Sequence, residues 1–130
     1  MGAGSVVTAI SYDEFETIIN KHKIVFVDFW TEWCGPCKHF AHVFETVANM
    51  HHKDILFASV NLEKEAKFSE LFSIQSVPHL MVFKDGIAIY SESGSMPQTA
   101  LKDLVEQALI VDMSEIHEQL EKKNNSDPSG

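Results

Sequence analysis

Apolar residues change period several times along this chain, and each change marks an element. Ser11 followed by Glu14 forms a capping box, and Phe15, Ile18 and Ile19 recur behind it at helical spacing, which predicts an amphipathic helix over 12–21. From Ile24 to Trp30 every residue but Asp28 is apolar, the pattern of a central strand covered on both faces. Phe40, Ala41, Phe44, Val47 and Ala48 then form a helical stripe that fades near His51 and His52. A second buried strand is predicted over 55–62, then a short helix carrying Ala66, Phe68, Leu71 and Phe72. Two apolar runs, 80–83 and 87–90, flank Lys84-Asp85-Gly86, where Asp-Gly is a strong hairpin signal. Leu101, Leu104, Val105, Ala108 and Leu109 mark a last amphipathic helix, and residues 6–10 supply a further candidate strand at the start. This order predicts an α/β fold: a central mixed sheet of four to five strands with helices on both faces.

Beyond residue 110 the character changes. Asp112 and Glu115 are placed to cap one more helix, with Met113, Ile116 and Leu120 as a weak stripe; from Lys122 onward the chain turns polar and reads as disordered. At 130 residues, 45% hydrophobic and with nine phenylalanines, the chain can bury one sizeable core but hardly two, so one domain is expected.

Charge narrows the partners. The net charge is −9 and arginine, the side chain best suited to bidentate phosphate capture, does not occur, which argues against nucleic acid and against anionic membranes. No run of about 18 apolar residues is present to span a bilayer, and the first residues lack a basic stretch followed by an apolar one, so a cytoplasmic location is expected. Gly2 does not complete a myristoylation motif, because Val6 stands where Ser or Thr is required.

The two cysteines, Cys34 and Cys37, stand three positions apart in Trp33-Cys34-Gly35-Pro36-Cys37. Residues at i and i+3 share one face of a helical turn, about 5 to 6 Å apart at Cβ, near enough to close a disulfide after a small rearrangement. The pair follows a buried strand and opens a helix, where unpaired N–H groups and the helix dipole stabilise a thiolate at Cys34. Pro36 suits a first helical turn, Gly35 lets a partner approach the backbone, and Trp33 beside the loop offers a flat contact surface. Two other readings stand beside the redox one. A zinc site needs four tetrahedral ligands, yet His39 and His42 share the helix of Cys37 without the long separation that lets ligands wrap a metal. Inert thiols would gain nothing from Gly-Pro between them.

The string from Val27 to Lys38, with Val77-Pro78, Phe83-Lys84-Asp85-Gly86 and Gly94, resembles the thioredoxin family over roughly residues 6–110. The resemblance implies a thioredoxin fold and a thiol-disulfide oxidoreductase reducing protein disulfides, monomeric and without a bound cofactor or metal. Electrons would come indirectly from NADPH through a flavoprotein thioredoxin reductase. Cys34 would attack and Cys37, more buried, would resolve. Asp28 would accept the Cys37 proton, since burial in an apolar strand raises a carboxyl pKa. Trp33, Gly35, Pro36, Val77, Pro78 and Gly94 would form the substrate groove, with Pro78 cis and the Val77 backbone pairing with an extended substrate segment. The division implied is a flexible N-terminus or cloning remnant at 1–5, the domain at 6–110 and an extension at 111–130.

Three departures qualify the likeness. Ser59 stands where the family often has a lysine near the buried Asp, which should leave the Asp28 pKa more raised. His42 replaces a helix-kinking proline. His79 replaces the usual threonine, and reads either as a cation favouring the Cys34 thiolate or as a histidine packed under the loop. These substitutions and the extension also admit a second function class, a specialised adaptor whose main task is binding one partner.

Overall fold

The structure, a computed structural model, describes residues 5–125. Its elements are β1 (Thr8–Ala9), α1 (Tyr12–Lys21), β2 (Ile24–Trp30), α2 (Gly35–His51), β3 (Leu56–Asn61), α3 (Lys67–Phe72), β4 (His79–Lys84), β5 (Ile87–Ser93), α4 (Gln98–Ile110) and α5 (Met113–Asn125). One five-stranded sheet runs in the order β1-β3-β2-β4-β5; β1, β3 and β2 are parallel, and β4 and β5 are added antiparallel. This is the expected mixed sheet, with β2 at its centre.

Side-chain alternation along β2 divides the core into two layers. Ile24 and Phe26 point toward α2 and α4, where they join Phe40, Phe44, Phe57, Leu80, Leu101 and Val105. Val25, Val27 and Phe29 point the other way, toward Phe15, Phe68, Met81 and Phe83. Phe15 and Phe29 both meet the Phe68 ring edge to face, with centroids 5.2 and 5.4 Å away. Such pairs contribute about 0.5–1.5 kcal/mol beyond their burial. Asp28 shares the parity of Phe26 and therefore faces α2.

Local signals account for most boundaries. Ser11 and Glu14 close the capping box of α1 reciprocally. Asp85 (φ 54°) and Gly86 (φ 78°) are both left-handed, the requirement of a two-residue type I′ hairpin between β4 and β5. The first strand is shorter than residues 6–10, because an edge segment holds strand geometry only where it pairs, at Thr8 and Ala9 against Ala58 and Ser59.

Lys84 is the core's one buried ammonium among the described residues. Its Nζ donates to the carbonyls of Ala108, Leu109 and Val111 at 2.7, 3.2 and 3.0 Å, closing the C-terminal end of α4. Beyond that junction Asp112 accepts from the Ser114 backbone, Met113 is buried, and His117 Nε2 lies 3.5 Å from Asp85. The helix α5 runs to Asn125, past Lys122 where a disordered tail was expected; the remainder of that tail lies outside the described residues. No described helix is long and apolar enough to cross a membrane.

Candidate functional site

The buried strand β2 delivers the chain to Trp30, a short loop follows, and α2 begins at Gly35 with Cys34 as its N-cap. Cys34 holds extended backbone, φ −91° and ψ 108°, and Pro36 occupies the first turn, where its missing N–H leaves no hydrogen bond unmade. The backbone N–H of Cys37 donates to Cys34 Sγ at 3.1 Å. An N-cap sulfur thus takes the place of the usual cap oxygen, so a thiolate there would gain a hydrogen bond together with the positive end of the helix dipole. No acidic residue stands in the first turn to oppose it.

Cys34 and Cys37 are joined as a disulfide, with Cα atoms 5.3 Å apart. Cys37 was expected to be the more buried of the two, and it is by a narrow margin, 3% exposed against 5% for Cys34. Position separates them further: Cys34 caps the helix, whereas Cys37 lies inside the turn and lines a cavity that opens to solvent. Trp33, Gly35 and Pro36 around them are exposed, Trp33 at 74%. A Cβ built on Gly35 would meet nothing within 4 Å, so that tip of the loop is bare.

The cavity, of about 540 Å³, lies between α2 and the β1-β3-β2 edge. Asp28 and Cys37 both line it, with Ser59, Ala41 and Phe44 around them and Glu32, Lys38 and Glu45 contributing charge. Asp28 is 3% exposed, and no described group reaches its Oδ1. Desolvation pushes its carboxyl from 3.8 up to about 7. Thr31, which the sequence reading did not single out, is buried in the same cavity with an unpartnered hydroxyl. Its signal was available: a polar residue directly after a strand that is apolar but for Asp28, and before the cysteine loop.

Across from the disulfide, Val77 O lies 3.7 Å from Cys34 Sγ, and the Val77-Pro78 peptide is cis. Gly94, at φ 110° where side-chain-bearing residues are strained, donates its N–H to Pro78 O at 2.7 Å. Trp33, Gly35, Pro36, Val77, Pro78 and Gly94 are thus placed on the disulfide's own loop and on the β4 and β5 ends facing it. His79 is buried, and its two ring nitrogens each meet a serine hydroxyl at 2.8 Å, Ser93 at Nδ1 and Ser91 at Nε2. Burial lowers its pKa, with Glu92 opposing, so at neutral pH it is the packed neutral histidine and not a cation beside the thiolate. Ser91 and Ser93 escaped the sequence reading; their signal was the i, i+2 spacing that puts both on one face of β5. His39 and His42 are exposed on α2, and among the described residues no group of three or more His, Cys, Asp or Glu side chains converges to hold a metal.

A buried strand leading into a Cys-Gly-Pro-Cys helix start, on a mixed five-stranded sheet, defines a thiol-disulfide oxidoreductase. The chain belongs to the thioredoxin family, whose model, described as Thioredoxin, matches residues 6–107. It is 38% identical to a thioredoxin of Coprinus comatus over 98 residues, 75% of this chain and 92% of that protein. Against thioredoxin 1 of Synechococcus elongatus it is 32% identical over 106 residues, 81% of this chain and 99% of the other. Among solved structures, a Plasmodium falciparum thioredoxin superposes with a TM-score of 0.72 at 33% identity, covering 78% of this chain and 98% of that one. A mutant thioredoxin from Halobacterium salinarum gives 0.75 at 26%, covering 85% and 99%.

Proposed function

We propose that Cys34 is the attacking thiolate and Cys37 the resolving thiol in the reduction of protein disulfides. Cys34 attacks one sulfur of the substrate's S–S bond, forming a mixed disulfide and releasing the other sulfur as a thiolate that takes up a proton. Asp28 then accepts the Cys37 proton, and Cys37 attacks Cys34 Sγ. The second substrate sulfur leaves with the remaining electron pair, and the Cys34–Cys37 disulfide is the oxidised product. The observation that carries these roles is the Cys37 N–H aimed at Cys34 Sγ from the first turn of α2.

Supporting the proton assignment, Asp28 and Cys37 line one cavity and the carboxyl group titrates at about 7, near the pH of the reaction. Trp33, Gly35, Pro36, Val77, Pro78 and Gly94 form the face that receives an extended substrate segment, with the Val77 backbone pairing with it. Residues 6–110 make the catalytic domain, followed by an extension at 111–130. An NADPH-dependent flavoprotein thioredoxin reductase regenerates the dithiol, and the protein works as a cytoplasmic monomer. Incubation with dithiothreitol and insulin tests the central reading: insulin reduction accelerates over buffer, and the absence of any acceleration overturns it.

A further inference from the structure

His79 occupies the first position of β4, directly after the segment that faces the disulfide, and both of its ring nitrogens meet serine hydroxyls. The Ser93 hydroxyl donates its single proton to the carbonyl oxygen of Ser76 at 3.3 Å, a group that can only accept. A Ser93 hydroxyl engaged in that way accepts at its 2.8 Å contact with His79 Nδ1, which is the arrangement in which Nδ1 carries the proton. In a neutral ring Nε2 is then bare and accepts from the Ser91 hydroxyl. Burial favours the neutral form; Glu92, whose charge opposes it, is exposed.

The end of β5 consequently grips the Ser76–Pro78 segment twice. Ser93 Oγ holds the Ser76 carbonyl, and the next residue, Gly94, holds the Pro78 carbonyl through its N–H at 2.7 Å. The carbonyl between them, that of Val77, is the one turned to Cys34 Sγ. We propose that His79 is a positioning residue: as the Nδ1–H tautomer it orients the Ser93 hydroxyl onto Ser76, and so fixes the Val77 backbone that aligns an extended substrate segment with Cys34. The proposal rests on the reading of Val77 as a substrate-pairing residue, and it assigns the family's departure at position 79 a role in recognition of polypeptide disulfides rather than in the chemistry of sulfur.

Ser93→Ala removes the link without disturbing the core, because Ser93 is exposed, and Ser93→Thr restores the hydroxyl. With insulin as substrate, Ser93→Ala should raise KM about fivefold, the loss expected of one ordinary hydrogen bond, with kcat within about twofold. Ser93→Thr should recover most of that loss. Reduction of 5,5′-dithiobis(2-nitrobenzoate), a disulfide with no polypeptide to align, should be unaffected by either change. In nitrogen-15 spectra of the unmodified protein, Nδ1 of His79 should carry the proton. Wild-type insulin kinetics in Ser93→Ala, an equal loss on both disulfides, or a proton on Nε2 would each overturn the proposal while leaving disulfide reduction intact. A parent protein inert toward insulin but active on the small disulfide would overturn it together with the assignment of Val77.

Discussion

Asp28 and Ser59 stand opposite each other on the adjacent parallel strands β2 and β3, both open to one cavity, and no hydrogen bond joins their side chains. The carboxyl group is therefore desolvated without compensation, which is what lifts it to about 7. A cation at position 59 would reverse the effect.

Ser59→Lys should lower the Asp28 pKa by about one unit or more, as an opposite charge within a few ångströms favours the carboxylate. The cavity has room for the longer side chain. Carbon-13 titration of the Asp28 carboxyl group, and the pH at which mixed-disulfide resolution reaches half its maximum, should move down together. An unmoved titration would show that the ammonium stays in solvent.

Asp28→Asn should stabilise the protein at pH 8. The native pKa, about 7, lies above the unfolded value of 3.8, so the folded state binds the proton more tightly. Stability from this group is complete below pH 3.8, declines as pH rises toward 7, and is flat above. The advantage of the neutral amide should thus open across that window and reach on the order of 2–4 kcal/mol at pH 8. Urea unfolding at pH 4 and pH 8 measures it, and a variant less stable than the parent at pH 8 would contradict the desolvation account. The same change should slow resolution of the mixed disulfide, which loses its proton acceptor.

How much of this was readable beforehand follows from the range of each interaction. The bounds of β2, the capping box of α1 and the Asp85-Gly86 turn depend on neighbours within a few residues, and each lay where the pattern placed it. The cysteine pair was equally legible, because the thiolate's main support is the N–H three residues on. Contacts between distant segments were not. Lys84 reads as an ordinary turn lysine until α4 brings the carbonyls of Ala108, Leu109 and Val111 to it, and His79 stayed ambiguous until β5 supplied Ser91 and Ser93. The Val77 carbonyl that meets Cys34 Sγ likewise comes from a distant segment, which nothing local to the motif encodes.

Lys84→Met keeps the aliphatic stem and removes all three donors. Leaving the last carbonyls of α4 partly unsatisfied should cost about 2–3 kcal/mol in equilibrium unfolding. Insulin reduction by the folded fraction should be unchanged, since Lys84 pairs with Ile24 at the end of β2 away from the cysteines. A loss of turnover without a loss of stability would mean that the α4 junction communicates with the disulfide.

Single cysteine replacements separate the two sulfurs more sharply than their exposure does. In Cys37→Ser the capped Cys34 sulfur keeps the backbone N–H of residue 37 and its place at the head of α2, so attack proceeds and stops at the mixed disulfide. A one-to-one covalent adduct with the substrate should accumulate and be seen by mass spectrometry under non-reducing conditions. In Cys34→Ser the remaining thiol lies inside the first turn, faces the Asp28 cavity and lacks the N-cap position, so insulin reduction should fall to the buffer rate with no adduct. Sustained turnover by Cys37→Ser, or an adduct on Cys34→Ser, would exchange the roles of the two residues.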